Sequence, residues 1–279
     1  MKTSTSLMLT DIMPQKRSWF TKVVKNRVFD RKSPDQVFAS LKDSGVEGIE
    51  LLLPSYTKIT EEDIAEVKRM LDQNNMPVFS VHQTLRFFTK TRLGEIEELF
   101  KLTKFLSAQV IVLHMNSAGK QVFDKEYITA VHKLQKKYGI KVGFENREKF
   151  IGSLFRPYGW HAEKFSSLMK ENEFFITFDT THLAHSGGDI VTFFKHNKDR
   201  IVNIHLSDYK SNMLNSSLRP LRFKHLPLGK GELPIEEFIK LLRKENYKGL
   251  LTMEINTDLA GMCESARIIH GYVSPKRAS

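Results

Sequence analysis

Eight short apolar runs, each separated from the next by a stretch with helical spacing, restrict the fold of this 279-residue chain more than any other feature. The runs are rich in β-branched residues and span 6–12, 48–54, 77–82, 109–115, 140–146, 174–180, 201–208 and 249–256. Near-continuous apolar strands that alternate with helices predict a parallel sheet with a covered outer face. Eight such units predict an α/β fold, a (β/α)8 barrel in a single domain over residues 1–279, with a doubly wound open sheet as the alternative.

Helix start signals stand between the apolar runs. Ser33 precedes Pro34, and Thr60 precedes a turn rich in acids, where the helix dipole favours negative charge. These signals predict helices that begin directly after Ser33 and Thr60.

Composition excludes several classes of protein. A single cysteine, Cys263, excludes an intrachain disulfide and a cysteine-based metal cluster. No apolar run approaches the roughly 20 residues that span a bilayer. The apolar stretch near the N-terminus is short and is interrupted by Asp11, which argues against a signal peptide. We therefore expect a cytoplasmic protein with no membrane partner, and the sequence does not predict its oligomeric state.

The charge balance is strongly basic. Lysine and arginine number 43 against 32 acids, a formal net charge of +11. Such a field attracts anions, either a small anionic substrate or nucleic acid, and a lysine-rich solvated surface is the simpler explanation.

Ionisable residues recur at or near the ends of the predicted strands. They are Glu50, His82, His114, Glu145, Asp179, His205 and Glu254. His182 follows three residues after Asp179, and His225 lies in a long loop after the seventh strand. Because the carboxyl ends of barrel strands converge on one mouth, these groups are predicted to meet there.

Crowded carboxylates and imidazoles point to a bound cation. A single histidine at a strand end is usually structural, but so many acids are costly to desolvate without a cation that neutralises them. Ligands without thiolate suit zinc, manganese or a similar divalent ion. Glu50 is interpreted as a cap for a backbone amide and is left out of the inner set. The remaining histidines, namely His132, His161, His185, His196 and His270, are predicted to be incidental.

Five motifs carry a family resemblance: FDTTHLAHSG, NIHLSDYKS, HLPLGKGEL, GFEN and TMEIN. With them the chain resembles the xylose isomerase-like TIM barrels, also called the AP endonuclease family 2 superfamily, over essentially its whole length. For the isomerase and epimerase branch, the resemblance implies one divalent ion held by Glu145, Asp179, His205 and Glu254. It also implies that Glu145 and Glu254 exchange the proton in enediolate chemistry, and that His182 contacts the sugar.

The endonuclease IV branch of the same superfamily is the second resemblance. It implies a trinuclear zinc site with nine ligands, of which eight match here: His82, His114, Glu145, Asp179, His182, His205, His225 and Glu254. Phe223 stands where that branch has the ninth ligand, an aspartate. We therefore expect one or two ions rather than three, with His82 and His114 also open to substrate contact.

The ranking of functions rests on this departure. A metal-dependent sugar or sugar-phosphate isomerase or epimerase comes first, an endonuclease IV-like zinc phosphodiesterase acting on abasic-site DNA is the alternative, and a carbohydrate-binding protein is a distant third.

Two segments, 13–32 and 209–233, exceed ordinary loop length and are predicted to be functional or mobile. The second carries Lys210, Arg219 and Arg222, which are assigned to substrate binding because they could clamp a phosphate. A track for a DNA backbone and a solvated basic loop remain alternatives.

Overall fold

A closed barrel of eight parallel strands in sequential order forms the centre of the molecule. The structure, a computed structural model, describes residues 1–13, 29, 32–54, 59–83, 93–114, 125–147, 162–211 and 225–273. The strands are β1 Lys2–Met8, β2 Gly48–Leu53, β3 Val78–Gln83, β4 Val110–His114, β5 Lys141–Glu145, β6 Phe175–Asp179, β7 Ile201–Leu206 and β8 Leu250–Met253. The predicted fold class is confirmed, because β8 pairs with β1 and closes the sheet.

Helices lie between successive strands. Those in the described residues are α1 Leu9–Ile12, α2 Pro34–Asp43, α3 Glu61–Gln73, α4 Leu93–Phe105, α5 Lys125–Tyr138, α6 Ala162–Glu171, α7 Thr180–His185, α8 Ile190–Asn197, α9 Ile235–Lys244 and α10 Leu259–Val273. Among these residues we find no helix of the length and apolar character needed to cross a membrane.

The predicted helix starts at residues 34 and 61 are confirmed. Ser33 caps α2 and Thr60 caps α3, each with a reciprocal capping box that satisfies backbone donors at the helix start. The partner in each box is the third helical residue, Gln36 in α2 and Asp63 in α3.

The main hydrophobic core lies between the outer face of the barrel and the helices. Phe178 of β6 is typical, since it is fully buried and its ring contacts Phe193 of α8 and Phe238 of α9. This packing fixes the helices against the sheet and holds each strand at its height in the barrel.

The barrel interior has an unusual composition. Val110, Val112 and Val202 form a small separate apolar cluster. Hydrogen-bonded polar side chains, among them Ser4, Asn203 and Thr252, are also fully buried in the chain. Bulky branched residues usually fill this space in a (β/α)8 barrel. Part of the barrel interior is therefore filled by a network of hydrogen-bonded polar side chains.

The first strand corrects one sequence prediction. The run predicted as a strand over 6–12 contains only the end of β1, and its second half is the helical turn α1. The true strand begins in the polar stretch from Lys2, where Ser4 and Thr5 are fully buried. An apolar pattern misses this strand because its side chains are small, polar and hydrogen-bonded to β8.

The remaining seven predicted strands are found, with ends that differ by a few residues. That residues 1–279 form one domain stays a prediction. Most of the segment 13–32 and the stretch 212–224 of the second long loop lie outside the described residues.

Truncating Phe178 tests the packing that holds the barrel together. Phe178→Ala removes a fully buried ring, so we expect the free energy of unfolding to fall by about 3–5 kcal/mol. Phe105→Ala is the matched control, because that ring is 50 % exposed and its loss should change stability by less than about 0.5 kcal/mol. Urea unfolding followed by circular dichroism measures both, and equal losses would contradict the assigned core.

Candidate metal centre

Strand register brings the predicted ligands to one mouth of the barrel. His114 on β4 pairs with Glu145 on β5, and Asp179 on β6 pairs with His205 on β7. Glu254 follows β8 directly, and its backbone N–H donates to the carbonyl of Leu206. These residues stand at the carboxyl ends of their strands, where active sites of this fold lie.

The inner set predicted from sequence is assembled. One ligand atom from each of Glu145, Asp179, His205 and Glu254 lies within 4.8 Å of all the others. Nδ1 of His205 is 3.0 Å from a carboxylate oxygen of Glu145 and 2.7 Å from one of Glu254. This spread is small enough for a single cation to contact the four residues.

Two adjoining groups share carboxylates with the inner set. His82 and His114 lie beside Glu145, and Nε2 of His114 is 2.6 Å from Oε2 of that glutamate. His182 and His225 lie beside Asp179, with Nδ1 of His225 3.7 Å from Oδ2. All eight predicted metal ligands therefore lie in one connected cluster, although their role as ligands stays a prediction.

The spacing between Asp179 and His182 has a local cause. Asp179 is the N-cap of α7, and its Oδ1 accepts a hydrogen bond of 2.6 Å from the backbone N–H of His182. Its other oxygen, Oδ2, has no hydrogen-bond partner. The carboxylate of Asp179 thus caps α7 with Oδ1 and leaves Oδ2 available to the site.

Asn146 holds this turn and was missed in the sequence analysis, although it ends the motif GFEN. Its side chain donates to the carbonyl of Asp179 and accepts from the N–H of the same residue, at 2.9 and 2.7 Å. Its own carbonyl is 3.0 Å from Nδ1 of His182. A proton on Nδ1 makes this hydrogen bond and leaves Nε2 of His182 as the acceptor.

His225 is fixed by backbone pairing on both sides. Asp208 and Leu226 form an antiparallel bridge, and Asn256 donates its N–H to the carbonyl of His225. The residue has a φ of 57°, in the left-handed region that few side chains adopt. Ser207 Oγ lies 3.1 Å from Nδ1 and sets the ring plane.

Glu50 corrects the sequence interpretation. It was interpreted as a backbone cap outside the inner set, yet it is fully buried and contacts two histidines of the cluster. Its Oε1 is 3.0 Å from Nε2 of His205 and 3.3 Å from Nδ1 of His82. Glu50 is the third residue of a six-residue strand, so it lies below the mouth, within the barrel. A carboxylate inside an apolar strand was the signal that could have identified it.

Burial and charge shift the proton affinities strongly. Burial raises the pKa of Asp179, and Glu254 and Glu145 raise it further against the opposing effect of His225, to about 8. For Glu145 burial also raises the pKa, but His114 and His205 outweigh burial and hold it well below its usual range. His205 likewise holds the pKa of Glu254 at about 2 despite burial. Burial lowers the pKa of His205, but Glu50, Glu254 and Glu145 together raise it well above its usual value.

The donor set fits a divalent cation. The buried Oδ2 of Asp179 and both ring nitrogens of His82 have no hydrogen-bond partner, and Oε2 of Glu145 and of Glu254 each lie against a histidine nitrogen. Buried polar atoms are rarely left unpaired unless a group outside the protein completes them. Burial, together with Glu254 and Glu145, raises the pKa of Asp179, and a cation beside this carboxylate would offset both effects. Oxygen and imidazole ligands suit zinc or manganese.

The residues predicted to bind substrate differ in how exposed their side chains are. His114 and His182 are each 16 % exposed at the mouth, whereas the side chain of His82 is only 2 % exposed. Lys210 is exposed just beyond β7. Arg219, Arg222 and Phe223 lie outside the described residues.

Of the histidines predicted to be incidental, His132, His185, His196 and His270 lie on helices, and His161 is outside the described residues.

A large cavity lies at the other end of the barrel. Its volume is about 910 Å³ and its walls include the first residues of strands, such as Val78, Val110 and Ile201. Because the candidate ligands stand at the carboxyl ends, this cavity is not part of the metal centre.

Comparison with known proteins shows likeness over most of the chain. A family described as xylose isomerase-like TIM barrel matches residues 38–270. An inosose dehydratase of Clostridium perfringens is 24 % identical over 247 residues, which cover 77 % of this chain and 82 % of that protein.

Two solved structures share the fold. A D-tagatose 3-epimerase-like protein has a TM-score of 0.68 and 17 % identity, over 98 % of this chain and 97 % of that one. The IOLI protein with a bound zinc atom has a TM-score of 0.63 and 12 % identity, over 99 % and 100 %. At these identities the likeness shows the fold alone.

Metal titration tests the candidate centre. Zinc at a hundredfold excess over its dissociation constant should stabilise the protein by about 2.7 kcal/mol, measured as a rise in thermal unfolding temperature. We expect Asp179→Asn and His205→Ala to lose most of this rise, because each removes a ligand from the inner set. His196→Ala is the control, since His196 is exposed on α8. An unchanged rise in both site variants would place the metal elsewhere.

Proposed function

We propose, because the chain belongs to the xylose isomerase-like TIM barrel family, that it is a metal-dependent enzyme that moves a proton next to the carbonyl group of a sugar or related polyhydroxy ketone. The observation that carries the proposal is the pair of glutamates, Glu145 and Glu254, which approach Nδ1 of the same histidine, His205. Isomerisation or epimerisation is the reaction that this pair supports best.

Four residues would hold the cation: Glu145, Asp179, His205 and Glu254. When bound, a divalent cation supplies a Lewis acid that polarises a carbonyl or hydroxyl oxygen of the substrate. Zinc and manganese both suit these ligands, and one or two ions per chain are proposed rather than three.

The glutamates would carry the proton. One carboxylate takes a proton from the carbon beside the carbonyl, and the electron pair of that C–H bond forms the C=C bond of an enediolate. The other glutamate first takes a proton from solvent and then, as a carboxylic acid, gives it to the neighbouring carbon or to the opposite face of the same carbon, while the first glutamate releases its proton to solvent. When the proton goes to the neighbouring carbon, the hydroxyl proton also passes to the former carbonyl oxygen. Both glutamates have pKa values below the usual range, so each is ionised and able to accept a proton near neutral pH.

His182 would orient the substrate at the mouth. Its Nδ1 is held by the carbonyl of Asn146, which leaves Nε2 to accept a hydrogen bond from a substrate hydroxyl. His114 is as exposed as His182 and is proposed as a second substrate contact. His82 is too deeply buried for that role and is proposed to act as a ligand or as support for one.

The proposed substrate is a small molecule, either an anion such as a sugar phosphate or a neutral sugar. The net charge of +11 supports an anion, and Lys210, Arg219 and Arg222 are the proposed contacts to a phosphate.

Dehydration is the second candidate reaction. The Clostridium perfringens relative is by name a dehydratase of inosose. Removal of a proton beside a carbonyl is a first step that dehydration shares with isomerisation. The paths separate afterwards, because a hydroxyl group then leaves from the next carbon with a proton from a carboxylic acid, and water is lost.

Solvent exchange tests both reactions. In deuterated water we expect deuterium to enter the product at the carbon beside the carbonyl, measured by NMR with a panel of ketoses and inososes. Glu145→Gln and Glu254→Gln should lower the rate by roughly 10²- to 10⁴-fold, the usual loss when a general acid or base is removed. Glu264→Gln should leave the rate unchanged, because Glu264 is exposed and paired with Lys230.

The product separates the two candidates. An isomer of unchanged mass supports isomerisation or epimerisation, and a product lighter by one water supports dehydration. Absence of deuterium incorporation with the whole panel would contradict the proposed proton transfer.

Cleavage of abasic-site DNA tests the phosphodiesterase alternative. The adjoining histidine groups could hold further zinc ions, but phenylalanine at position 223 supplies no lone pair for a third. We expect fewer than three tightly bound metals per chain by mass spectrometry of the metals, and weak or absent cleavage at abasic sites. Three stoichiometric zinc ions, with cleavage that Glu254→Gln abolishes, would reverse the ranking.

A further inference from the structure

Glu50 is a fully buried carboxylate for which the proposed reaction has no direct use. Its Oε2 accepts hydrogen bonds from Ser80 Oγ at 2.7 Å and from Asn203 Nδ2 at 2.9 Å. The third partner is His205, whose Nε2 lies 3.2 Å from the same oxygen and 3.0 Å from Oε1. Isolated carboxylates are costly to bury, so this one needs a reason to be in the barrel interior.

His205 presents a different nitrogen to each of two carboxylate groups. Nδ1 faces the inner set, at 3.0 Å from Glu145 and 2.7 Å from Glu254, while Nε2 faces Glu50 below. A cation bound to Nδ1 would replace the proton there and leave a neutral ring, whose one N–H is then on Nε2.

We infer that Glu50 is a positioning residue that holds the proton of His205 on Nε2 and thereby presents the lone pair of Nδ1 to the cation. The inference rests on the proposed metal centre. Metal-bound histidines commonly donate their second ring N–H to a carboxylate, which fixes the tautomer and the ring orientation.

A buried network fixes the position of Glu50 in turn. The side chain of Asn203 can direct its amide N–H only toward Glu50, because its oxygen accepts from Thr252 Oγ1 at 2.8 Å. Thr252 Oγ1 in turn lies 2.8 Å from Ser4 Oγ, and all three residues are fully buried. The chain of hydrogen bonds runs from β1 through β8 and β7 to the carboxylate on β2. This arrangement explains why polar side chains occupy a part of the barrel that is normally aliphatic.

Glu50→Gln tests the inference with metal affinity. Glutamine keeps the size of the side chain but replaces one acceptor oxygen with an NH2 group, which only donates. We expect zinc affinity to fall by about 10- to 100-fold, with the number of ions at saturation unchanged, in isothermal titration. Asp63→Asn is the matched control, because it also removes a buried carboxylate, from the capping box of α3, and it should leave zinc affinity unchanged.

The tautomer of His205 distinguishes a positioning role from a folding defect, because a general loss of stability would not change which ring nitrogen carries the proton. In ¹⁵N-labelled zinc-loaded protein, long-range nitrogen–proton spectra should show the proton on Nε2 in the wild type. In Glu50→Gln this signal should shift or split into two forms. Denaturant unfolding of the metal-free variants measures their free energy of unfolding, so an effect on folding can be told apart from an effect on zinc affinity.

Three outcomes would overturn the inference or its premise, and they are distinguishable. If His205→Ala does not change zinc binding, the proposed metal centre is wrong. If His205→Ala abolishes binding but Glu50→Gln keeps both the affinity and the tautomer, the centre stands and the positioning role is wrong. If Glu50→Gln loses a whole ion per chain, Glu50 is itself a ligand with His82 and His205.

Discussion

In a closed parallel barrel every strand is hydrogen-bonded along both edges, so no strand can slip without breaking two ladders. This constraint sets the height of each ionisable side chain at the mouth. The pairing of His114 with Glu145 and of Asp179 with His205 places four candidate ligands on neighbouring strands at matching levels. The aromatic contacts of Phe178 stabilise that register from outside the barrel.

The crowding of acids at the mouth is unfavourable for folding. Burial raises the pKa of Asp179, and repulsion by the neighbouring carboxylates Glu254 and Glu145 raises it further. The nearness of His205 lowers the pKa of Glu254 despite burial, so this carboxylate stays ionised inside the protein. A bound cation would relieve the repulsion, so stability and the proposed activity depend on the same ion.

Isomerisation, epimerisation and dehydration share their first proton transfer and differ in the later steps. The residues that would take this proton are held by rigid strand ends. Other groups at the mouth would decide which substrate hydroxyl faces which glutamate.

Much of this protein could be predicted from its sequence by local physics. Strand and helix periodicity, with Ser33 and Thr60 as caps, predicted the barrel, and one ionisable group per βα unit predicted where the candidate ligands meet. Local patterns could not predict the polar first strand, because Ser4 and Thr5 have partners on β8, at the far end of the chain. They also could not assign the hydrogen-bond partners of Glu50, the role of Asn146 or the ring orientation of His205. Those depend on hydrogen bonds between residues distant in sequence, such as Asn203 with Glu50, which exist only after the barrel closes.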